Sequence, residues 1–475
     1  MKNVNAEQNT APGEIQDFDI IIVGTGSGNT IPAPINDEKT IAIVEKGVFG
    51  GTCINVGCIP TKMFVHTADV ARSFRTADKL SLTGSLDHVD WKGIQQRVFG
   101  DRIDPIAEGG AAYRAGDETP NITLFHGEAA SFVAPRTLRI GDGADAPVIR
   151  GKDVVLATGT RPWIHPVLTD SGVRYRTNED IMRLDTQPES LIILGGGIVA
   201  VEFAAIFDAL GTKVTVVNRS ERLLRKLDAE ISEAFTKQAR EQWDTHLGVE
   251  PRSARETDNG QVELTLDDGT VLLADEVLAA QGRISNADTL ALEAAGVEKK
   301  ENGKVKVDEF GRTTAEGVWA LGDASNDFDL KHVANQEAKI VQHNLAHPEN
   351  LRANDYHAVP SGVFTHPQIA VVGMTEADAQ ATGRELTVKV QRYADVAYGW
   401  AMEDTTGFCK VIADRKTGEI LGAHIMGPEA STLIQSVVTA MAFGIDARRF
   451  ATEQYWPHPA LTELVENALL GLEFD

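Results

Sequence analysis

The stretch from Leu191 to Val217 constrains the fold more than any other part of this chain. Leu191–Leu194 is a short apolar run and Gly195-Gly196-Gly197-Ile198-Val199-Ala200 a glycine-rich turn. Val199–Leu210 carries a helical apolar pattern closed by Gly211, and Lys213–Val217 is a second apolar run. Strand, turn, helix and strand in that order predict a βαβ unit in a parallel sheet. The turn fits G-x-G-x-x-[GA] in full. Gly195 permits the tight turn, Gly197 lets a backbone approach a pyrophosphate, and Ala200 allows close helix packing. The helix N-terminus then faces the negative charge. Alone the pattern would be a weak signal; in this context it predicts a dinucleotide site.

An echo lies near the N-terminus. Phe18–Val23 reads as a buried strand, followed by Gly24-Thr25-Gly26-Ser27-Gly28-Asn29 and a second apolar strand, Ile41–Val44, ending at Glu45. Gly24 and Gly26 are in place, but the third position is Asn29, with an extra glycine at Gly28. Pro32 and Pro34 should shorten or kink the helix that follows. Glu45, 21 residues after Gly24, suits a ribose hydroxyl. Helix is expected from about Pro60, strands near Thr123–Leu124 and Val154–Leu156, and a β-meander over 260–281. Beyond about residue 355 strands precede helices, as in an α+β domain.

The expected fold is therefore α/β, with two Rossmann-like dinucleotide-binding domains and a C-terminal α+β domain. Its 475 residues suffice for about three domains. The boundaries are drawn as a flexible tail over 1–16, a first nucleotide domain over 17–165, a second over 166–288, a return to the first over 289–352, and the α+β domain over 353–475. A net charge of −24 argues against nucleic acid and anionic membranes as partners. There is no apolar run of about 20 residues to span a membrane. The polar N-terminus lacks the apolar core of a secretory signal, so a cytoplasmic location is expected.

Three cysteines are too few for a disulfide-stabilised secreted scaffold of this size. Cys409, in an apolar alternating segment, reads as a small core residue. Cys53 and Cys58 lie five residues apart in Gly51-Thr52-Cys53-Ile54-Asn55-Val56-Gly57-Cys58-Ile59-Pro60-Thr61-Lys62. Residues so spaced on a regular α-helix have Cα atoms about 8–9 Å apart, whereas a disulfide needs roughly 4.4–6.8 Å. The backbone between them must therefore leave helical geometry, which Asn55 and Gly57 tolerate. Pro60 fits the start of a helix, and Cys58 at that N-terminus would favour thiolate. A metal site is not expected, because no second Cys/His pair has ligand spacing. Redox catalysis is the reading that remains.

GGTCINVGCIPTK, with ATGTRP (157–162), the Gly282-Arg283 of AAQGRISN, ALGDAS (320–325) and HPALTE (458–463), resembles the class I flavoprotein disulfide reductases. The similarity runs from about residue 17 to 470. It implies FAD in the first nucleotide site, held by Gly24, Gly26, Gly28, Glu45, Gly51, Thr52, Lys62, Thr158, Gly159, Gly322 and Asp323. It also implies NADPH in the second, with Gly195, Gly197, Ile198, Glu202, Asn218, Arg219, Arg225 and Gly282. Cys58 would lie against the flavin and Cys53 would attack the substrate. Lys62 and Glu202 would pair beside the flavin, and His458, oriented by Glu463, would serve the Cys53 of a partner subunit in a homodimer.

Two features refine this. Asn218 stands where an NAD enzyme carries an acid, and Arg219 and Arg225 would suit a 2′-phosphate, so NADPH is favoured over NADH. GTGSGNTIP, CINVGCIPTKMFVHTADVA and AYGWAMEDT resemble the mycothione-reducing branch of the family, whose substrate is the disulfide of a sugar thiol. GNTIPAPINDEK has no arginine to meet an anionic tripeptide such as glutathione. Dihydrolipoamide dehydrogenase, glutathione reductase and a redox sensor without turnover are the alternatives.

Overall fold

The structure, a computed structural model, describes residues 15–32, 34–143 and 145–475. The chain forms two compact units. The first comprises Met1–Thr61, Lys92–Trp163 and Arg283–Asp355. The second comprises Lys62–Trp91, Ile164–Gly282 and Tyr356–Asp475. Most of the expected tail lies outside the described residues. Its last two residues, Ile15 and Gln16, belong to the first strand, where they pair with Val148 and Ile149.

The first unit is built on a seven-stranded sheet ordered Ile122–His126, Ile41–Glu45, Ile15–Val23, Val148–Leu156, Thr137–Ile140, Ala130–Ala134, with Val318–Ala320 also on Val148–Leu156. Strand alternation explains its two cores. Ile20 and Ile22 face one side, with Ile31, Ile41, Ile43 and Val341. Ile21 and Val23 face the other, with Ala42, Val44 and Leu156. A strand with both faces covered must be apolar throughout, which is why FDIIIV shows no alternation. Pro32 and Pro34 have the expected consequence in a stronger form. Among the described residues, only 3₁₀ turns, Ser27–Thr30 and Pro34–Asn36, stand where the first crossover helix would be.

In the second unit a parallel sheet runs Asp244–Leu247, Lys213–Asn218, Ser190–Leu194, Glu276–Ala279. The expected β-meander over 260–281 is only partly formed. Val262–Leu266 pairs antiparallel with Pro251–Glu256 on one side and with Val271–Ala274 on the other. Glu276–Ala279 instead joins the parallel sheet beside Leu191–Leu194. All four of its residues are buried, whereas Val271–Ala274 alternates exposed and covered positions. The α+β region holds a five-stranded antiparallel sheet (Pro360–Val363, Ile369–Gly373, Ile420–Met426, Phe408–Asp414, Leu386–Arg392) against helices Ala430–Ala442 and Glu463–Leu470. Cys409 is fully buried in that core, and burial pushes its thiol up to about 12. It is an inert packing residue.

Candidate active site

The first turn is held together by Thr25. Its N–H and hydroxyl both donate to Glu45 Oε2, at 3.0 and 2.6 Å, and its hydroxyl accepts from Gly50 N–H at 2.9 Å. Glu45 Oε1 accepts from Gly47 N–H. Gly24 has φ +104°, and a Cβ there would lie 2.3 Å from Ala157 O. At Gly28 a Cβ would press on Ala157, and at Gly51 on the Gly26 backbone, while above Gly26 the space is open. Asn29 proves to be an anchor: Arg114 donates to its side-chain oxygen at 2.9 Å and to its carbonyl at 3.0 Å. Lys331 donates to Ser27 Oγ at 2.9 Å.

Thr158 and Gly159 close this site. Asn286 donates to Thr158 O, and Asn286 N–H to Gly159 O, while Thr158 Oγ1 is buried without a partner. Gly322 N–H and Asn326 Nδ2 both donate to buried Glu337 Oε2, at 2.6 and 2.8 Å, fixing the turn that carries Asp323. Burial pushes the Asp323 carboxyl up.

The cysteines stand on two helices, Gly51–Asn55 and Cys58–Thr76. The helix breaks at Val56 and Gly57, as disulfide geometry demands. Asn55 Nδ2 ties the loop to Phe49 O and Gly51 O, and a Cβ on Gly57 would lie 2.9 Å from Thr52 O. Cys58 is the first residue of its helix and exposed; Cys53 is half-buried. A hydrogen bond to Cys58, then burial and the charge on Cys58, push the Cys53 thiol up. Cys58 itself stands at a helix N-terminus, where the helix dipole favours a negative charge.

In the second unit, Gly195 has φ +129°, and a Cβ there would lie 2.3 Å from Ala280 O. Space over Gly197 is open, and the helix Ile198–Ala209 starts directly behind it. Gln281 Oε1, beside Gly282, is buried without a partner. Asn218 Nδ2 donates to Ser220 O at 2.9 Å and Arg222 O at 3.2 Å, shaping the loop that carries the arginines. Arg222 pairs with Glu233 at 2.7 Å. Arg219 and Arg225 are exposed and make no ion pair among the described residues.

The same unit brings Lys62 and Glu202 together at 2.6 Å, Glu202 buried and Lys62 one-third exposed. Phe364, which no sequence motif marks, joins them: its N–H donates to Glu202 Oε1 at 2.9 Å, and the Lys62 ammonium lies 4.5 Å from its ring centroid. His458 Nδ1 is 2.6 Å from Glu463 Oε1, with the imidazole 70% exposed and the carboxylate at 15%. The ring is thus oriented while its other nitrogen side remains open to solvent. Cys53, Cys58 and the residues of the first turn fall in one unit; Lys62, Glu202, His458, Glu463 and the residues of the second turn fall in the other.

Residues 18–338 match the model of the pyridine nucleotide-disulphide oxidoreductases, and 359–469 that of their dimerisation domain. The chain belongs to this family. It is 49% identical to a mycothione reductase of Mycobacterium tuberculosis over 467 residues, 96% of this chain and 100% of the relative. It is 31% identical to a dihydrolipoyl dehydrogenase of Bacillus subtilis, over 96% and 98%. Among solved structures, a Cu(II) complex of the HOCl-induced flavoprotein disulfide reductase RclA from Escherichia coli superposes with a TM-score of 0.84 at 27% identity, covering 96% and 99%.

As a pyridine nucleotide-disulphide oxidoreductase the chain is a flavoprotein disulfide reductase that uses FAD and NAD(P)H. The residues present fit both groups. Each turn leaves open space over its central glycine, and each ends at a buried polar atom without a protein partner, Thr158 Oγ1 and Gln281 Oε1. Other buried side-chain atoms among the described residues also lack a partner, so the fit rests on the open space over Gly26 and Gly197. Thr25, Arg114, Glu337 and Phe364 were missed by sequence reading. Thr25 lies inside the glycine motif and could have been found there; the other three act from distant segments.

Proposed function

We propose that this chain reduces mycothione to two molecules of mycothiol with NADPH, through a redox-active Cys53–Cys58 pair in a homodimer. The observation that carries the substrate is the full-length likeness to a mycothione reductase at 49% identity. The first turn supports it. GNTIPAPINDEK supplies no arginine, and Arg114, which reaches this turn, is engaged with Asn29. A pseudo-disaccharide without carboxylates needs no guanidinium clamp.

When bound, FAD and NADPH carry two electrons from the nicotinamide to the cysteine pair. The chain's own residues do the rest. The raised Cys53 thiol needs a base, and His458 of a second subunit, held by Glu463, takes its proton. The Cys53 thiolate attacks one substrate sulfur, forming a mixed disulfide and breaking the substrate S–S bond. The protonated imidazole returns the proton to the departing thiol. Cys58, the thiolate at the helix N-terminus, then attacks the Cys53 sulfur. The second thiol leaves, taking a proton from solvent, and the Cys53–Cys58 disulfide is restored. Lys62 and Glu202 are assigned to the hydride-transfer end, and Glu45 and Asp323 to flavin hydroxyls. Gly24, Gly26, Gly28, Gly51, Thr52, Thr158, Gly159 and Gly322 are assigned to FAD. Gly195, Gly197, Ile198, Asn218, Arg219, Arg225 and Gly282 are assigned to NADPH.

The dimerisation domain supports the shared site. The domain boundaries near 165, 288 and 352 belong to the same proposal. So does a cytoplasmic setting, in which the thiols stay reducible; among the described residues no helix is long and apolar enough to cross a membrane.

A panel of mycothione, glutathione disulfide and lipoamide, each with NADPH and NADH, tests the substrate. Mycothione with NADPH is expected to give the highest kcat/KM, and preference for lipoamide with NAD⁺ would replace this reading. Cys53→Ser is expected to retain flavin and lose disulfide reduction. Anaerobic two-electron reduction of the wild type should produce a long-wavelength thiolate–flavin band, and its absence in FAD-loaded protein would remove the Cys58 assignment.

A further inference from the structure

A lysine and a glutamate on two different helices make an ion pair whose place in space is only loosely fixed. Lys62 is one-third exposed on a flexible four-carbon stem, and a single 2.6 Å contact to Glu202 leaves the ammonium able to swing about the carboxylate. Phe364 removes that freedom in two ways. Its backbone N–H occupies the second carboxylate oxygen at 2.9 Å, so Glu202 is held from both sides and cannot rotate to follow the lysine. Its ring presents a negative face to the ammonium at 4.5 Å, in the range where a cation is attracted to the quadrupole.

The ring itself is seated. A Cβ on Gly362 would lie 3.2 Å from the Phe364 ring edge, so glycine two residues earlier gives the ring its place. Phe364 is half-buried, and Val363 and Thr365 on either side are buried, which fixes the backbone carrying the donating N–H. Sequence position shows none of this. Phe364 lies 162 residues from Glu202, in the α+β region rather than in a nucleotide motif.

We propose that Phe364 is a positioning residue for the reductive half-reaction: its amide and its ring together fix the Lys62 ammonium in the orientation the hydride-transfer site requires. This rests on the assignment of Lys62 and Glu202 to that site. Through its amide and its ring, Phe364 makes the geometry of the ion pair depend on the C-terminal region. An alkyl side chain at 364 keeps the N–H and loses the ring, so it separates the two contributions.

The test uses the FAD-loaded full chain with Phe364→Leu, Phe364→Tyr and Lys62→Met. Acetylation of Lys62 by trace acetic anhydride, followed by mass spectrometry, reads the freedom of the ammonium without turnover. Flavin bleaching after rapid mixing with NADPH reads hydride transfer. Phe364→Leu should raise Lys62 labelling and slow bleaching, each roughly fivefold, within the strength of one cation–π contact. Phe364→Tyr keeps the aromatic face and should restore both. Should Phe364→Leu lose its flavin, Gly362→Ala, which displaces the ring by a few tenths of an ångström, should give the same two changes in smaller measure. Unchanged labelling and bleaching in Phe364→Leu, with Lys62→Met slow, would overturn the role of Phe364 alone. Unchanged bleaching in Lys62→Met would instead remove the assignment of the ion pair.

Discussion

Gly24 and Gly195 occupy the same place in their turns. A Cβ on either would lie 2.3 Å from a carbonyl oxygen, Ala157 O in one and Ala280 O in the other. The residue after each carbonyl, Thr158 or Gln281, holds a buried polar atom with no partner. Behind Gly197 stands the helix Ile198–Ala209, whose N-terminus supplies roughly half a positive charge to an anion. Behind Gly26 there is only a 3₁₀ turn, and charged side chains stand nearby instead: Arg114 on Asn29 and Lys331 on Ser27. The strand ends differ too, Glu45 closing back on Thr25 while Asn218 folds over the loop of Arg219, Arg222 and Arg225. The two turns thus share the close backbone approach and differ in what stands beside it, a helix N-terminus at Gly197 and hydrogen-bonded cationic side chains near Gly26.

The largest effects should come where the two turns are equivalent. Gly24→Ala and Gly195→Ala each force a side chain into a left-handed position against a carbonyl, costing about 3 kcal/mol or more. Thermal unfolding should show the loss in both. Gly24→Ala is expected to lose flavin absorbance, and Gly195→Ala to keep flavin but lose NADPH binding. Equal flavin loss in both would break the correspondence of the turns with the two nucleotides.

Next in size are the side chains that distinguish them. Arg219→Ala/Arg225→Ala should weaken NADPH roughly tenfold or more, since a charge-assisted hydrogen bond contributes about 1.5–3 kcal/mol before screening. NADH should change less than about twofold, and equal losses in titrations with both would rule out the 2′-phosphate pocket. Arg114→Met removes both bonds to Asn29 and should cost the first turn about 1–3 kcal/mol, read as weaker FAD binding. Asn218→Ala should cost the second turn about 1 kcal/mol, and calorimetry with NADPH would detect it.

The smallest effect concerns a buried acid of the first site. Burial raises the folded-state pKa of Asp323 above its unfolded value. The stability linked to its protonation is therefore full below about pH 4 and lost as pH rises through the folded value. Asp323→Asn should then raise the apoprotein's Tm at neutral pH, the gain disappearing in acid. A gain independent of pH would show that charge burial is not its source.

Much of this architecture was legible because the signals are local. Apolar runs beside glycine turns place strands and phosphate sites within a few residues of one another. The cysteine spacing, taken with disulfide geometry, calls for a break between Cys53 and Cys58, which the structure places at Val56–Gly57 rather than at Asn55. The meander was misread because Glu276–Ala279 looks like another sheet strand, and only burial on all sides sends it to the parallel sheet. The absence of a first crossover helix was half-legible in Pro32 and Pro34; that Arg114 and Lys331 take its place was not.

The sequence by itself determined the two nucleotide turns and the paired cysteines at a helix start, because each is written in contiguous residues, whereas His458 and Glu463 were marked by the family resemblance alone. Only the tertiary structure decided which side chains hold those parts in place. Glu337 on the Gly322 turn and Phe364 on the Lys62–Glu202 pair act across 15 and 162 residues of chain. A hydrogen bond or ring contact depends on separation in space, and chain folding, rather than local pattern, sets that separation.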